Sequence, residues 1–230
     1  MAYSKSDAVG KIEEALKDPI ILYGAKFVDY KEVIGNDWYT EVVAQELLKE
    51  ENIAILRNIP KITLNKNYKT NQKQETISCE KPSNIKYNRE LLAKELYGKT
   101  LNYIGEVLDF ATPLENASDS KVIDLLTYNK IENTAYINVL KKSGSSATLL
   151  KCIIQAYICW KIVDGEKLLS NFGINSANLR KSVLVFKSST AYGDLHDKKC
   201  VAVRGLMSHL GIDLFVLNSS GTDLVESYKY

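Results

Sequence analysis

Residues 121–160 read KVIDLLTYNKIENTAYINVLKKSGSSATLLKCIIQAYICW, and the fold turns on them. KVIDLLTY (121–128) is an apolar run of strand length with one carboxylate, Asp124, in its middle. NKIEN supplies a turn, and TAYINVLKK (134–142) is a second strand that ends on Lys141 and Lys142. SGSS (143–146) then offers a loop and an N-cap, before a long apolar helix over 147–164 that belongs on a sheet. A lone carboxylate inside an apolar strand is costly unless it is paired or binds a metal. Side chains alternate along a strand, so Val139 and Lys141 share a face. If Asp124 faces the same pocket, Val139 stands opposite it, where a second acid would complete a hard-oxygen metal site.

Working outward, EVLDFATPL (106–114) is a strand that ends near Pro113 and the polar turn ENASDS. RELLAKELYGKTLNYIG (89–105) has helical spacing, with Leu91, Leu92, Leu96 and Leu101 inward. Further on, SVLVFKS (182–188) is a continuous apolar strand, KKCVAVRGLMSHLG (198–211) a helix, and IDLFVL (212–217) a final strand. The order α-β-β-β-α-β-α-β predicts an antiparallel meander followed by strands reached through helical crossovers. That is an α/β (α+β) mixed sheet flanked by helices.

Before residue 88 the pattern is different. Residues 3–18 and 38–49 read as amphipathic helices, and NIAILRNIPKITL (52–64) as a short strand or extended piece broken at Pro60. Residues 65–88 are polar and basic through Lys66, Lys69, Lys73, Lys81 and Lys86, the composition of a solvated linker or of an arm touching phosphates. We therefore divide the chain into an N-terminal helical and extended region, 1–87, and a core, 88–230.

Composition excludes little. With 230 residues, 45% hydrophobic, 25% charged and a net charge of +2, the chain is an ordinary globular protein, and any nucleic-acid contact needs local rather than bulk charge. No apolar run approaches the roughly 18 residues of a membrane span, and the start of the chain lacks a signal-type apolar segment, which points to the cytoplasm and no membrane partner. Cys79, Cys152, Cys159 and Cys200 form no CxxC pair and lie at no zinc spacing with His196 or His209, so they read as reduced, buried thiols.

The span from Gly105 to Trp160 resembles the PD-(D/E)XK superfamily of restriction-endonuclease-like nucleases, and the likeness extends over roughly 88–218. In that family a strand Asp precedes a hairpin ending in (D/E)-x-K, followed by a helix that often carries a QxxxY-like element. Here the matching residues are Asp124, then Val139 and Lys141, then Gln155 with Tyr157 and Trp160 near the tyrosine place. The resemblance implies a nucleic-acid partner, DNA ahead of RNA, and, if the site is active, Mg²⁺ or Mn²⁺ hydrolysis of phosphodiesters. Asp124 and Glu90 (Glu95 as second choice) would hold metal, Lys141 would position water, and Gln155 would orient Lys141 or the phosphate. Homodimerisation stays open.

The departure is Val139, which cannot ligate metal. Three accounts fit it: a catalytically degenerate member that still binds DNA or a partner, an acid that has migrated to Glu90 or Glu106, or an engineered substitution. The fold could also serve as a non-enzymatic interaction scaffold. Asn138, by alternation, faces away from the site. Tyr157 and Trp160 read more simply as core aromatics, Lys187 as a solvated strand end, and SGSS as a helix start able to hold a phosphate.

Overall fold

The computed structural model describes residues 4–68, 91–114 and 121–230. Helices α1 (Lys5–Ala15), α2 (Tyr39–Leu47) and α3 (Glu50–Arg57) come first, with a small hairpin of β1 (Val33–Ile34) and β2 (Asp37–Trp38) between α1 and α2. A helical segment α4 (91–96) leads into the main sheet. Its strands are β3 (Thr100–Leu101), β4 (Gly105–Pro113), β5 (Val122–Asn129), β6 (Thr134–Leu140), β7 (Asn178–Phe186), β8 (Ile212–Leu217) and β9 (Leu224–Tyr228). Helices α5 (Leu149–Ile162) and α6 (Gly165–Asn171) join β6 to β7, and α7 (Thr190–His196) and α8 (Val201–His209) join β7 to β8.

The strands lie in chain order across one sheet, β3 to β9. β3 through β6 are antiparallel, β6–β7–β8 parallel, and β9 antiparallel again. The chain is thus a mixed α/β fold, with a large mixed sheet covered by helices. Ile137, Val139, Val183, Val185, Leu214 and Val216 face the larger core with α5, and the same core takes in Ile12 of α1, Leu47 of α2 and Met207 of α8. Tyr136, Leu140, Leu184 and Phe215 face the other way, under Leu96 of α4. Both faces are apolar because the parallel strands are covered on both sides.

Four local readings change. Residues 52–64 begin as helix: Glu50 and Glu51 lie in the first turn of α3, and Asn52, Ile53 and Leu56 are its buried stripe. The expected helix over 89–105 is helical only within 91–96 among the described residues; Gly98 (φ +73°) turns the chain into β3. β7 starts at Asn178 rather than 182, because Asn178–Leu184 pair along the whole of β6. β9, which alternates buried and exposed residues, went unread at the sheet edge. The boundary at 87 lies outside the described residues.

Candidate functional site

β5 and β6 diverge where the site lies. Their ladder runs from Asn129–Thr134 to Leu125–Asn138 and stops. Beyond it, the Leu140 N–H, which faces β5, donates to Asp124 Oδ2 at 2.8 Å. A carboxylate has been drawn into the plane of the sheet at the point of divergence. Asp124 is 6% exposed, and this charge-assisted bond offsets part of its desolvation. Its charge acts, with that of Lys141, on the Cys152 thiol of α5, which puts Asp124 on the α5 side of the sheet.

Lys141 follows directly after Leu140. Its backbone N–H donates to Leu184 O at 2.9 Å, fixing it to β7, and its side chain reaches across to α5. There Nζ donates to Gln155 Oε1 at 2.6 Å, with Lys141 only 8% exposed. The Gln155 amide is bound at its other end too: Nε2 donates to Tyr23 O at 3.4 Å. Asp124, Lys141 and Gln155 are therefore assembled at one end of the sheet, beneath α5. Val139, 3% exposed, lies in an apolar row with Val183 and Leu214.

Three further charges surround this place, from residues that the sequence did not single out. Lys151, one turn before Gln155, donates to Tyr23 O (2.9 Å) and Ala25 O (3.0 Å). Burial holds its ammonium below the usual lysine range, Asp29 opposing and Lys141 adding to the depression. Asp29 Oδ1 accepts from the Thr148 N–H (2.7 Å), and Asp194 Oδ2 from the Leu149 N–H (2.8 Å). Thr148 itself caps Lys151 N at 3.2 Å. The start of α5 is thus held by two carboxylates of the chain, which is a correction to SGSS as a phosphate cradle: the amides it would offer are occupied. Burial raises the carboxyl of Asp194, against the pull of that amide. Burial also pushes the Cys152 thiol up to about 11, with Lys141 lowering it and Asp29, Asp194 and Asp124 raising it, so all four charges converge on one point of α5.

The other expected residues lie elsewhere. Glu90 lies outside the described residues, as do Cys79, Lys69, Lys73, Lys81 and Lys86. Glu95 is exposed on α4. Glu106 pairs in register with Tyr128, at the far end of β5, and meets Lys130 at 3.5 Å, so it does not migrate into the site. Asn138 is buried on the opposite face, donating to Leu125 O and Thr127 Oγ1 and accepting from Ser182 Oγ at 2.5 Å. Tyr157 is core, and Lys187 pairs with Glu226 at 2.5 Å.

Chemically, Asp124 supplies a hard oxygen donor that already accepts from the Leu140 amide. Val139 offers no ligand of its own, and among the described residues no group of three or more His, Cys, Asp and Glu is placed to hold a metal ion. The described residues here do compose a charged, hydrogen-bonded corner, in which Lys141, just past β6, and Lys151, on α5, stand among Asp29, Asp124 and Asp194. Comparison with protein-family models, with curated proteins and with solved structures finds no match. Among the described residues no helix is long and apolar enough to cross a membrane.

Proposed function

We propose that this chain is a degenerate nuclease of PD-(D/E)XK type, which binds nucleic acid through its backbone without cleaving it efficiently. The observation that carries the reading is the joint placement of Asp124, Lys141 and Gln155 where β5 and β6 part. The connectivity supports it: an antiparallel hairpin, a helix, then a parallel strand beside the hairpin is the order the resemblance implies. Val139 accounts for the loss of catalysis, since a valine stands at the motif position where the resemblance implies the second acid. Lys141, steadied by Gln155, serves as a phosphate contact, with the Lys-rich stretch 65–88 as a second source of charge.

The test measures binding of single-stranded and duplex DNA and RNA by fluorescence anisotropy across a salt series, with cleavage assayed in Mg²⁺ and Mn²⁺. Binding is expected to weaken steeply with salt. Lys141→Ala should lower it several-fold, and Val139→Glu should bring metal-dependent cleavage and a millimolar-metal rise in Tm absent from the parent. A parent that binds none of these nucleic acids, together with a folded Val139→Glu variant that neither cleaves nor gains stability from metal, would overturn the proposal.

A further inference from the structure

At the opposite end of α5 lies a cleft of about 420 Å³, within the roughly 300–1,000 Å³ common for small-molecule sites. Its wall is apolar, made mainly by Trp160, Leu179, Ile59 and Leu169, and its polar groups are Lys61, Lys161 and one acid, Glu166. Leu179 lies opposite Ala135, at the start of β6, so the cleft sits roughly 20 Å along the strands from Lys141. It is a separate place with its own chemistry.

The cleft is built rather than incidental. Ile62 N–H donates to Ile162 O at 2.7 Å and ties the segment bearing Lys61 to the end of α5. Lys161 Nζ donates to Arg57 O at 2.6 Å. Trp160 Nε1 donates to Leu179 O at 3.0 Å, which fixes the indole against the wall. A third cation stands on that ring: Lys181 Nζ lies 3.9 Å from the Trp160 centroid, with the residue 8% exposed. Lys161 Nζ lies 5.7 Å from the same centroid.

Two lysines thus stand on one tryptophan, with Lys61 beside Lys161 on the cleft wall, and they press on one another. The ammonium of Lys161 is lowered by burial and by Lys61, and that of Lys181 by burial, Arg180 and Lys161, with Asp213 opposing. Among the described residues on the cleft wall, Glu166 is the one acid. An anion entering here would relieve that repulsion, and a flat apolar group would find an aromatic and aliphatic wall. We propose that the cleft binds a single nucleotide unit, its base packed against Trp160 and Leu179 and its phosphate held by Lys61 and Lys161. Stacking on an aromatic ring is tolerant of base identity, and paired lysines take a phosphate as point charges. The unit could be a free nucleoside monophosphate or an unpaired nucleotide of a strand. The inference does not depend on the roles given to Asp124 and Lys141.

The experiment uses the full chain carrying Trp38→Phe, which leaves Trp160 as its sole tryptophan. AMP, UMP, inorganic phosphate and a short single-stranded oligonucleotide are titrated while Trp160 emission is followed. Saturable quenching by the monophosphates, with phosphate alone at least tenfold weaker, assigns a free nucleotide. Saturable quenching by the oligonucleotide alone assigns an unpaired nucleotide of a strand. In either case Lys61→Glu and Lys161→Glu, on the rim of the cleft, should each weaken binding about tenfold. The proposal is overturned if neither ligand quenches saturably up to millimolar concentration, or if both charge reversals leave quenching intact. Oligonucleotide binding seen by anisotropy but silent at Trp160 sinks this proposal and leaves the nuclease-fold reading standing.

Discussion

Lys181 shows how far one residue can depart from what its sequence neighbourhood implies. It sits in NLRKSVLVF, where a polar lead-in suggests a loop, yet it is a strand residue paired with Ile137 and Ile212 and covered by Trp160. Burial, first among its causes, lowers its pKa to about 8 from the model-compound 10.5. Below about pH 8 the folded chain carries a buried cation, a penalty on the order of 3 kcal/mol before the Trp160 contact offsets some of it. Between pH 8 and 10.5 the unfolded chain binds the extra proton, so stability rises with pH across that window. We expect Lys181→Met to be more stable than the parent at pH 7 by about 1–3 kcal/mol, with the gain vanishing by pH 10.5, read from urea unfolding at a series of pH values. Unfolding curves with a pH-independent difference would argue that the ammonium is hydrated. That Asp124 and Lys141 come near one another, by contrast, was legible, because one lies inside an apolar strand and the other at the end of its hairpin partner, where the ladder opens. Asp29 and Asp194 were not: their partners, Thr148 and Leu149, are distant in sequence, and nothing local announces them.

At the scale of elements, the meander and α5 could be read because their periods are strong and their turns short. The start of α3 was missed because NIAIL satisfies either period over so few residues; acids in its first turn decide for helix. β3 was missed because two residues carry no period at all, and its existence depends on Gly105. That glycine has φ +80°, and a Cβ there would stand 2.2 Å from Tyr128 O. Gly105→Ala should therefore cost at least about 2–4 kcal/mol and lower Tm by many degrees, a change that differential scanning calorimetry would register. Thr148 is the complementary case. Its hydroxyl accepts from Lys151 N and donates to Val28 O, joining α5 to the N-terminal segment. Thr148→Ala is expected to cost about 1–2 kcal/mol, measured by chemical denaturation, and Thr148→Ser to recover most of it.

Across the whole molecule, residues 4–68 are not an appendage: α1 and α2 share one core with α5, α8 and the sheet. That integration was invisible in the sequence, because amphipathic helices show which face is apolar and not what covers it. The other face is locked at one end of its strands by an ion pair whose carboxylate is buried and whose guanidinium is half-buried. Asp213, fully buried, takes Arg180 Nε and Nη2 at 2.7 Å each and the Tyr230 N–H at 2.9 Å, while Arg180 also reaches Tyr230 O. Removing one partner of such a pair strands the other, so Arg180→Leu should destabilise by about 3–5 kcal/mol, whereas Arg180→Leu with Asp213→Leu should restore a good part of it. A double-mutant cycle on denaturation midpoints checks this; additive losses would mean that the pair is not coupled.

The two-ended amide of Gln155 ties these scales together. It holds the amine of Lys141 on one side and the carbonyl of Tyr23 on the other, so whatever draws that amine toward a new anion tugs a tether anchored in the amino-terminal third of the chain. The 3-10 turn there closes through the amides of Gly24 and Ala25. Their deuterium uptake is where an occupant arriving beside Asp124 would announce itself, far along the sequence from anything it touches.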